Sequence, residues 1–200
     1  MPTAKKKQTR KRPSVVICVC GMAGSGKSTL AKRIAEQYRL RYYSGGDALM
    51  ALALEQGFSA SERGWWESKE GLRFLEQRGK DPRFDKAIDQ KQLEMAEEGN
   101  VVFDSWTMPW LLKKGFKIWL EASIEKRAER IAGRDRIDFD EALQALKQKE
   151  NQTRGIYKKL YKFSLGEDFS PFDLILDTET LNADEVFQVL CMLIENTVLK

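Results

Sequence analysis

Residues Gly21-Met22-Ala23-Gly24-Ser25-Gly26-Lys27-Ser28-Thr29 have the spacing of a phosphate-binding loop, and they follow the apolar run Ser14–Cys20. Such a loop needs a strand that stops abruptly, a glycine-rich turn, and a helix that opens at the lysine. Val15–Cys20 supplies the buried strand, and Lys27–Tyr38 has the composition of the helix. Gly21, Gly24 and Gly26 let backbone N–H groups converge on phosphate oxygens, because no Cβ blocks the positive φ values required. The helix N-terminus adds partial positive charge. Lys27 is expected to reach the β- and γ-phosphates and the Ser28 hydroxyl to ligate Mg²⁺, so the pattern implies binding of Mg·ATP or a similar triphosphate.

The elements that must hold this loop alternate. Short apolar strands are expected at Arg41–Ser44, Val101–Asp104, Phe116–Leu120 and Phe172–Asp177. Helices are expected over Asp47–Gln56, Phe84–Glu98, Ile124–Ala132, Phe139–Leu160 and Ala183–Glu195, with residues 58–82 helical in pieces. A charged turn, 133–138, separates the third and fourth of these helices. This alternation predicts an α/β fold: a parallel sheet with helices on both faces. Ligands in such a sheet gather at the carboxyl ends of the strands. The segments to read for chemistry are therefore 21–28, 45–47, 104–110 and 121–136.

Composition narrows the class. The chain has 200 residues, 42% hydrophobic and 32% charged, enough for one globular domain with a proper core. No apolar run approaches the roughly 18 residues of a membrane span. Residues 1–13 carry six basic side chains and no acid, so the +4 net charge less these six leaves −2 for residues 14–200. The basic character is thus a tail. It is expected to be disordered, with a weak RNA contact as the sharper alternative. The tail lacks the apolar stretch of a secretory signal, and the three cysteines have no metal or redox spacing. A reduced, cytoplasmic protein is the expectation. There is no histidine, which removes the commonest general base and zinc ligand.

Beyond the loop, several short pieces occur in a telling order: Asp85-Lys86-Ala87-Ile88-Asp89, Gly99–Asp104, Lys117–Ala122, Arg127–Ala132 and Phe172–Thr178. Across about residues 14–195 the chain resembles the nucleoside monophosphate kinases, specifically the archaeal cytidylate kinase family. The resemblance implies a three-layer P-loop kinase fold with an acceptor-binding region near 45–98 and a helical lid near 123–168. Arg127, Arg130 and Arg134 then fall in the lid, where the family uses arginines to neutralise the moving phosphoryl group; helical spacing puts them on one face. The implied reaction moves the γ-phosphoryl group of Mg·ATP to a small phosphate acceptor, CMP or dCMP foremost.

Three departures stand against that pattern. Met50, Trp106 (in Ser105-Trp106) and Ile156 occupy places where relatives carry arginines for the acceptor's phosphate. Arg63, Arg73, Arg78 and Arg83 are candidates to substitute. Asp104, ending a buried strand, is expected to join Ser28 at the metal. Asp47 is either a helix cap or, if the acceptor is a small-molecule or nucleoside hydroxyl, a catalytic base. Asp85 and Asp89, four apart, are expected to hydrogen-bond the acceptor. Trp106 and Trp110 are expected to wall its site or stack on a base. An ATPase acting on RNA or a ribonucleoprotein is the reading from another class.

Overall fold

A computed structural model describes residues 14–59 and 65–200. Its centre is strand β1 (Val16–Gly21), flanked on one side by β3 (Val101–Asp104) and β2 (Arg41–Ser44), on the other by β4 (Phe116–Glu121) and β5 (Leu174–Asp177). All four pairings are parallel, giving the order β2-β3-β1-β4-β5. Parallel neighbours need helical crossovers, and both faces of the sheet must then be covered.

The side-chain alternation of β1 divides the core. Ile17 and Val19 face helices α1 (Lys27–Tyr38) and α8 (Ala183–Thr197), packing on Leu30, Ile34, Leu190 and Ile194. Cys18 and Cys20 face the other layer. There α4 (Arg83–Glu98), α5 (Met108–Leu111) and α7 (Phe139–Tyr161) contribute Leu93, Met108, Ile156 and Tyr157. Burial drives both thiols to titrate well above the ordinary cysteine range, so they behave as small apolar residues.

The remaining helices are α2 (Gly45–Glu55), α3 (Lys69–Lys80) and α6 (Ile124–Asp135). Two boundaries differ instructively from sequence expectation. Helix α2 starts at Gly45, not Asp47, because the Ser44 hydroxyl accepts from the Asp47 N–H at 3.0 Å and caps the helix two residues earlier. Helix α6 continues through Gly133 to Asp135, where Arg136 (φ 60°) ends it in the left-handed conformation. The short helix α5 was not expected from the sequence. Among the described residues, no helix is long and apolar enough to cross a membrane. Residues 1–13, including the candidate RNA contact, and Arg63 lie outside the described residues.

One glycine fixes how α3 meets the turn before it. A Cβ on Gly71, in the first turn of α3, would lie 2.1 Å from the Trp65 carbonyl oxygen in the 3-10 turn Trp65–Glu67. Ser68 caps α3 through the same Gly71 N–H at 3.2 Å. Gly71→Ala is expected to cost about 1–3 kcal/mol by forcing these backbones apart, seen as a lower urea midpoint at unchanged slope.

Candidate active site

The glycines of the loop adopt the backbone that the motif demands. Gly21, Gly24 and Gly26 have φ of 148°, 81° and 92°, values that favour residues without a Cβ. Gly24 also lies against α6: a Cβ there would sit 2.6 Å from the Arg127 carbonyl oxygen. Ser25 is buried, and its hydroxyl has no partner within the protein. Met22 and Ala23 are core residues, and Gly26 is the N-cap of α1. The α1 N–H groups therefore open toward the carboxyl edge of the sheet.

At that edge lies a cavity of about 630 Å³. Ala23, Gly24, Lys27 and Ser28 line its loop side. Asp104 and Trp106, just past β3, line its middle. Met50, Trp66, Arg78 and Tyr157 line its far side. Asp47, Arg134 and Lys149 also border it. Thr29 is exposed on α1 and is not among the lining residues.

Asp104 is buried at the strand end, beside Val19 of β1 and Ser44 of β2, and accepts from the Tyr42 hydroxyl at 3.3 Å. Burial, then the Asp104 charge, raises the Tyr42 phenol well above its usual range, so it stays a donor. Trp106 donates its indole N–H to the Gly21 carbonyl at 2.6 Å and meets Tyr157 edge-on at 6.3 Å. The Lys27 ammonium lies 5.3 Å from its ring centroid, within cation–π range.

The three arginines expected together on one face of α6 diverge. Arg127 is buried, donating to the Ala23 and Ala122 carbonyls at 3.1 Å each and to the Glu150 carboxylate of α7. Arg130 donates to the Thr178 carbonyl at 2.6 Å and hydroxyl at 3.2 Å, beside a second hollow bordered by Lys126, Glu179 and Asn182. Arg134 alone of the three borders the main cavity, with Asp135 beside it at 2.6 Å.

On α3, Arg78 is fully buried. It holds Asp85 bidentately at 2.9 and 2.5 Å and donates to the Tyr157 hydroxyl at 2.8 Å. Burial opposes its charge, but Tyr157 and Asp85 outweigh that and keep it cationic. Asp85 and Asp89 are not among the cavity-lining residues. Asp89 accepts from Thr107 at 2.6 Å and from the Tyr161 hydroxyl, tying α4 to α5 and α7. Arg83 is exposed and paired with Asp81. Trp110 stacks on Phe163 at 3.9 Å, away from the cavity lining. Met50 borders the cavity, and Ile156 packs by Gly79. Lys149 was not singled out from the sequence. Nothing but its eight-residue spacing from Tyr157 along α7, just over two turns, could have flagged it.

A glycine loop at the end of a central parallel strand, with a lysine, a serine and a strand-end aspartate around one cavity, defines a P-loop kinase. Residues 16–180 match the model of the cytidylate kinase-like family, and the chain belongs to it. It is 36% identical over 179 residues to the cytidylate kinase of Pyrococcus horikoshii, covering 89% of this chain and 87% of that one. It is 35% identical over 187 residues to the cytidylate kinase of Methanocaldococcus jannaschii, covering 91% and 98%. The fold is also that of the shikimate kinase from Acinetobacter baumannii, with a TM-score of 0.55, 17% identity and coverage of 94% and 97%.

Two outcomes follow from the buried charges. Removing Arg127 strands Glu150 without a counter-charge, so Arg127→Met is expected to cost about 3–5 kcal/mol, measured by urea unfolding. Asp89 is raised above the ordinary carboxylate value, first by burial, with Thr107 and Tyr161 pulling it back. A raised carboxyl favours the protonated folded state: its contribution is full below the unfolded pKa and fades as pH rises through the folded one. Asp89→Asn, which cannot ionise, is expected to gain stability relative to the native chain as pH rises from about 3 to 7, read from paired melting curves.

Proposed function

We propose that the chain transfers the γ-phosphoryl group of Mg·ATP to a nucleoside monophosphate, with CMP or dCMP as the preferred acceptor. The observation that carries this reading is the continuity of the cavity. The phosphate loop, Asp104 and an aromatic-walled far side open into one space of about 630 Å³, so donor and acceptor can meet without water between them. The cytidylate kinase relatives support the choice of acceptor.

The loop fits a triphosphate on its own geometry. Its three glycines leave room where a Cβ would stand, and the unpartnered Ser25 hydroxyl is buried within it. Ser28 and Asp104 offer hard oxygen donors, the chemistry Mg²⁺ prefers, and such an ion completes its shell with phosphate oxygens and water. Bound there, it would neutralise charge on the donor phosphates. Donor phosphates would be held at the α1 N-terminus, with Lys27 beside them. In the transfer, an acceptor phosphate oxygen bonds to the γ-phosphorus while the bond to the β,γ-bridging oxygen breaks, and ADP leaves with that electron pair. The acceptor oxygen is already anionic, so no general base is needed and the absence of histidine costs nothing. Arg134, at the cavity mouth, contributes positive charge from the lid.

A second reading rests on Asp47. Its residue is exposed in the first turn of α2 and borders the cavity, where a hydroxyl acceptor would need a base. The two readings separate in one assay. Coupled ADP release is expected to rise with CMP or dCMP, to fall by about 10²–10³-fold in Lys27→Met, and to change by less than about threefold in Asp47→Asn. Turnover confined to free nucleosides or other hydroxyl acceptors, and abolished by Asp47→Asn, would establish the second reading instead.

A further inference from the structure

Of the two oxygen donors suited to Mg²⁺, Ser28 belongs to α1 and Asp104 to the end of β3, and both border the cavity. The carboxylate of a strand-end aspartate turns freely about its last bond unless a neighbour holds it. The sheet register shows which neighbour does. Tyr42 of β2 lies opposite Val102, and Ser44 lies opposite Asp104. Residues two apart on a strand share a face, so Tyr42 and Asp104 are diagonal neighbours on one side of the sheet. A long aromatic side chain spans that diagonal. The side is the one that α1 covers, since Tyr42 packs against the cluster containing Val102, Leu30 and Ile34.

The Tyr42 hydroxyl donates to Oδ2 of Asp104 at 3.3 Å. On its other side, the Lys32 ammonium lies 5.4 Å from the Tyr42 ring centroid, within the range of attraction by a ring face. Lys32 follows Ser28 by four residues on α1. One side chain therefore touches both the helix that carries Ser28 and the strand end that carries Asp104. The type of donor matters as much as its place. An arginine or lysine on Asp104 would fix the carboxylate but also offset its charge, in competition with a metal. A phenol is neutral. It orients the carboxylate and leaves the negative charge for a hard cation, which prefers anionic oxygen.

We propose that Tyr42 is a positioning residue for the metal, its hydroxyl holding Oδ2 of Asp104 so that Oδ1 serves, with Ser28, the Mg²⁺ of a bound triphosphate. This rests on the Mg·ATP reading above. Tyr42 is not among the cavity-lining residues, so it acts through Asp104 and not on the nucleotide. Its effect is therefore confined to the metal-bound nucleotide, because the same nucleotide without metal makes no demand on the orientation of Asp104.

The test uses the full chain and the non-hydrolysable β,γ-imido analogue of ATP, with binding measured by calorimetry in excess Mg²⁺ and again in EDTA. In the native chain Mg²⁺ is expected to tighten binding. Tyr42→Phe deletes one hydroxyl and keeps the ring beside Lys32. It is expected to weaken the Mg²⁺-bound analogue on the order of tenfold while leaving the Kd in EDTA unchanged. A merely structural role would weaken both alike. Asp104→Asn is expected to abolish the tightening by Mg²⁺, and Tyr42→Phe added to it is expected to change nothing more. Thermal melts without nucleotide establish that each variant is folded. If the native chain is tightened by Mg²⁺ and Tyr42→Phe keeps that gain, or loses equally in EDTA, the proposal falls and the Mg·ATP reading stands. If the native chain binds the analogue equally well with and without Mg²⁺, the assignment of Ser28 and Asp104 to the metal falls as well.

Discussion

The site is organised around the buried guanidinium of Arg127. It reaches the Ala23 carbonyl in the phosphate loop, the Ala122 carbonyl after β4, and the Glu150 carboxylate on α7. Three segments distant in sequence are pinned by one planar group. Only arginine has the forked donors to do so. The desolvation penalty of burying this charge is large, and it is tolerable because carbonyl and carboxylate acceptors are supplied together. The loop gains from the same contact. With Ala23 held and Gly24 pressed against the Arg127 backbone, its open-mouthed conformation is fixed before any ligand arrives, and ligand binding need not supply that ordering energy.

The acceptor side is built on a second buried network of a different kind. Arg78, Asp85 and Tyr157 form one closed set, and Asp89, Thr107 and Tyr161 another. Both join α7 to helices on the acceptor side. The first set pairs a guanidinium with a carboxylate, and the second holds one carboxylate on two hydroxyl donors. Two aspartates that in the bare sequence suggest acceptor contacts join, in the fold, α4 to α3, α5 and α7. The basic side chains of Lys27, Lys32, Arg134 and Lys149 border the open space.

Much of the fold is legible in the sequence, since its signals are local. The strand endings, the loop glycines and the start of α1 at Lys27 follow from short-range rules, and β2 and β3 have the boundaries expected. Ser44 moved the start of α2 because a serine cap outranks a pair of glycines that look like a turn. Gly133 did not stop α6, since an exposed helical glycine costs about 1 kcal/mol and the packed inner face of α6 outweighs it. The site is less legible. One-face spacing put Arg127, Arg130 and Arg134 together, yet they lie at positions i, i+3 and i+7, and long side chains from one stripe reach different partners. Arg127 turned inward because Glu150 waits on α7, a pairing 23 residues away that no local pattern encodes. Lys149 was invisible for the same reason: its meaning lies in Trp66 and Trp106, on two other segments.

These buried networks also limit how the α6–α7 hairpin can move. Helix α7 is held near its middle by Glu150 on Arg127 and in its last turns by Tyr157 and Tyr161. Helix α6 is held at its base by Arg127 and Arg130. What stays beyond these anchors is the hairpin tip, from Arg134 through the Asp138 cap of α7. Swinging the whole α6–α7 hairpin would expose a buried ion pair and two carbonyls, whereas bending the tip breaks none of them. Movement in this hairpin is therefore confined to its tip, while the anchored parts of α6 and α7 stay in place.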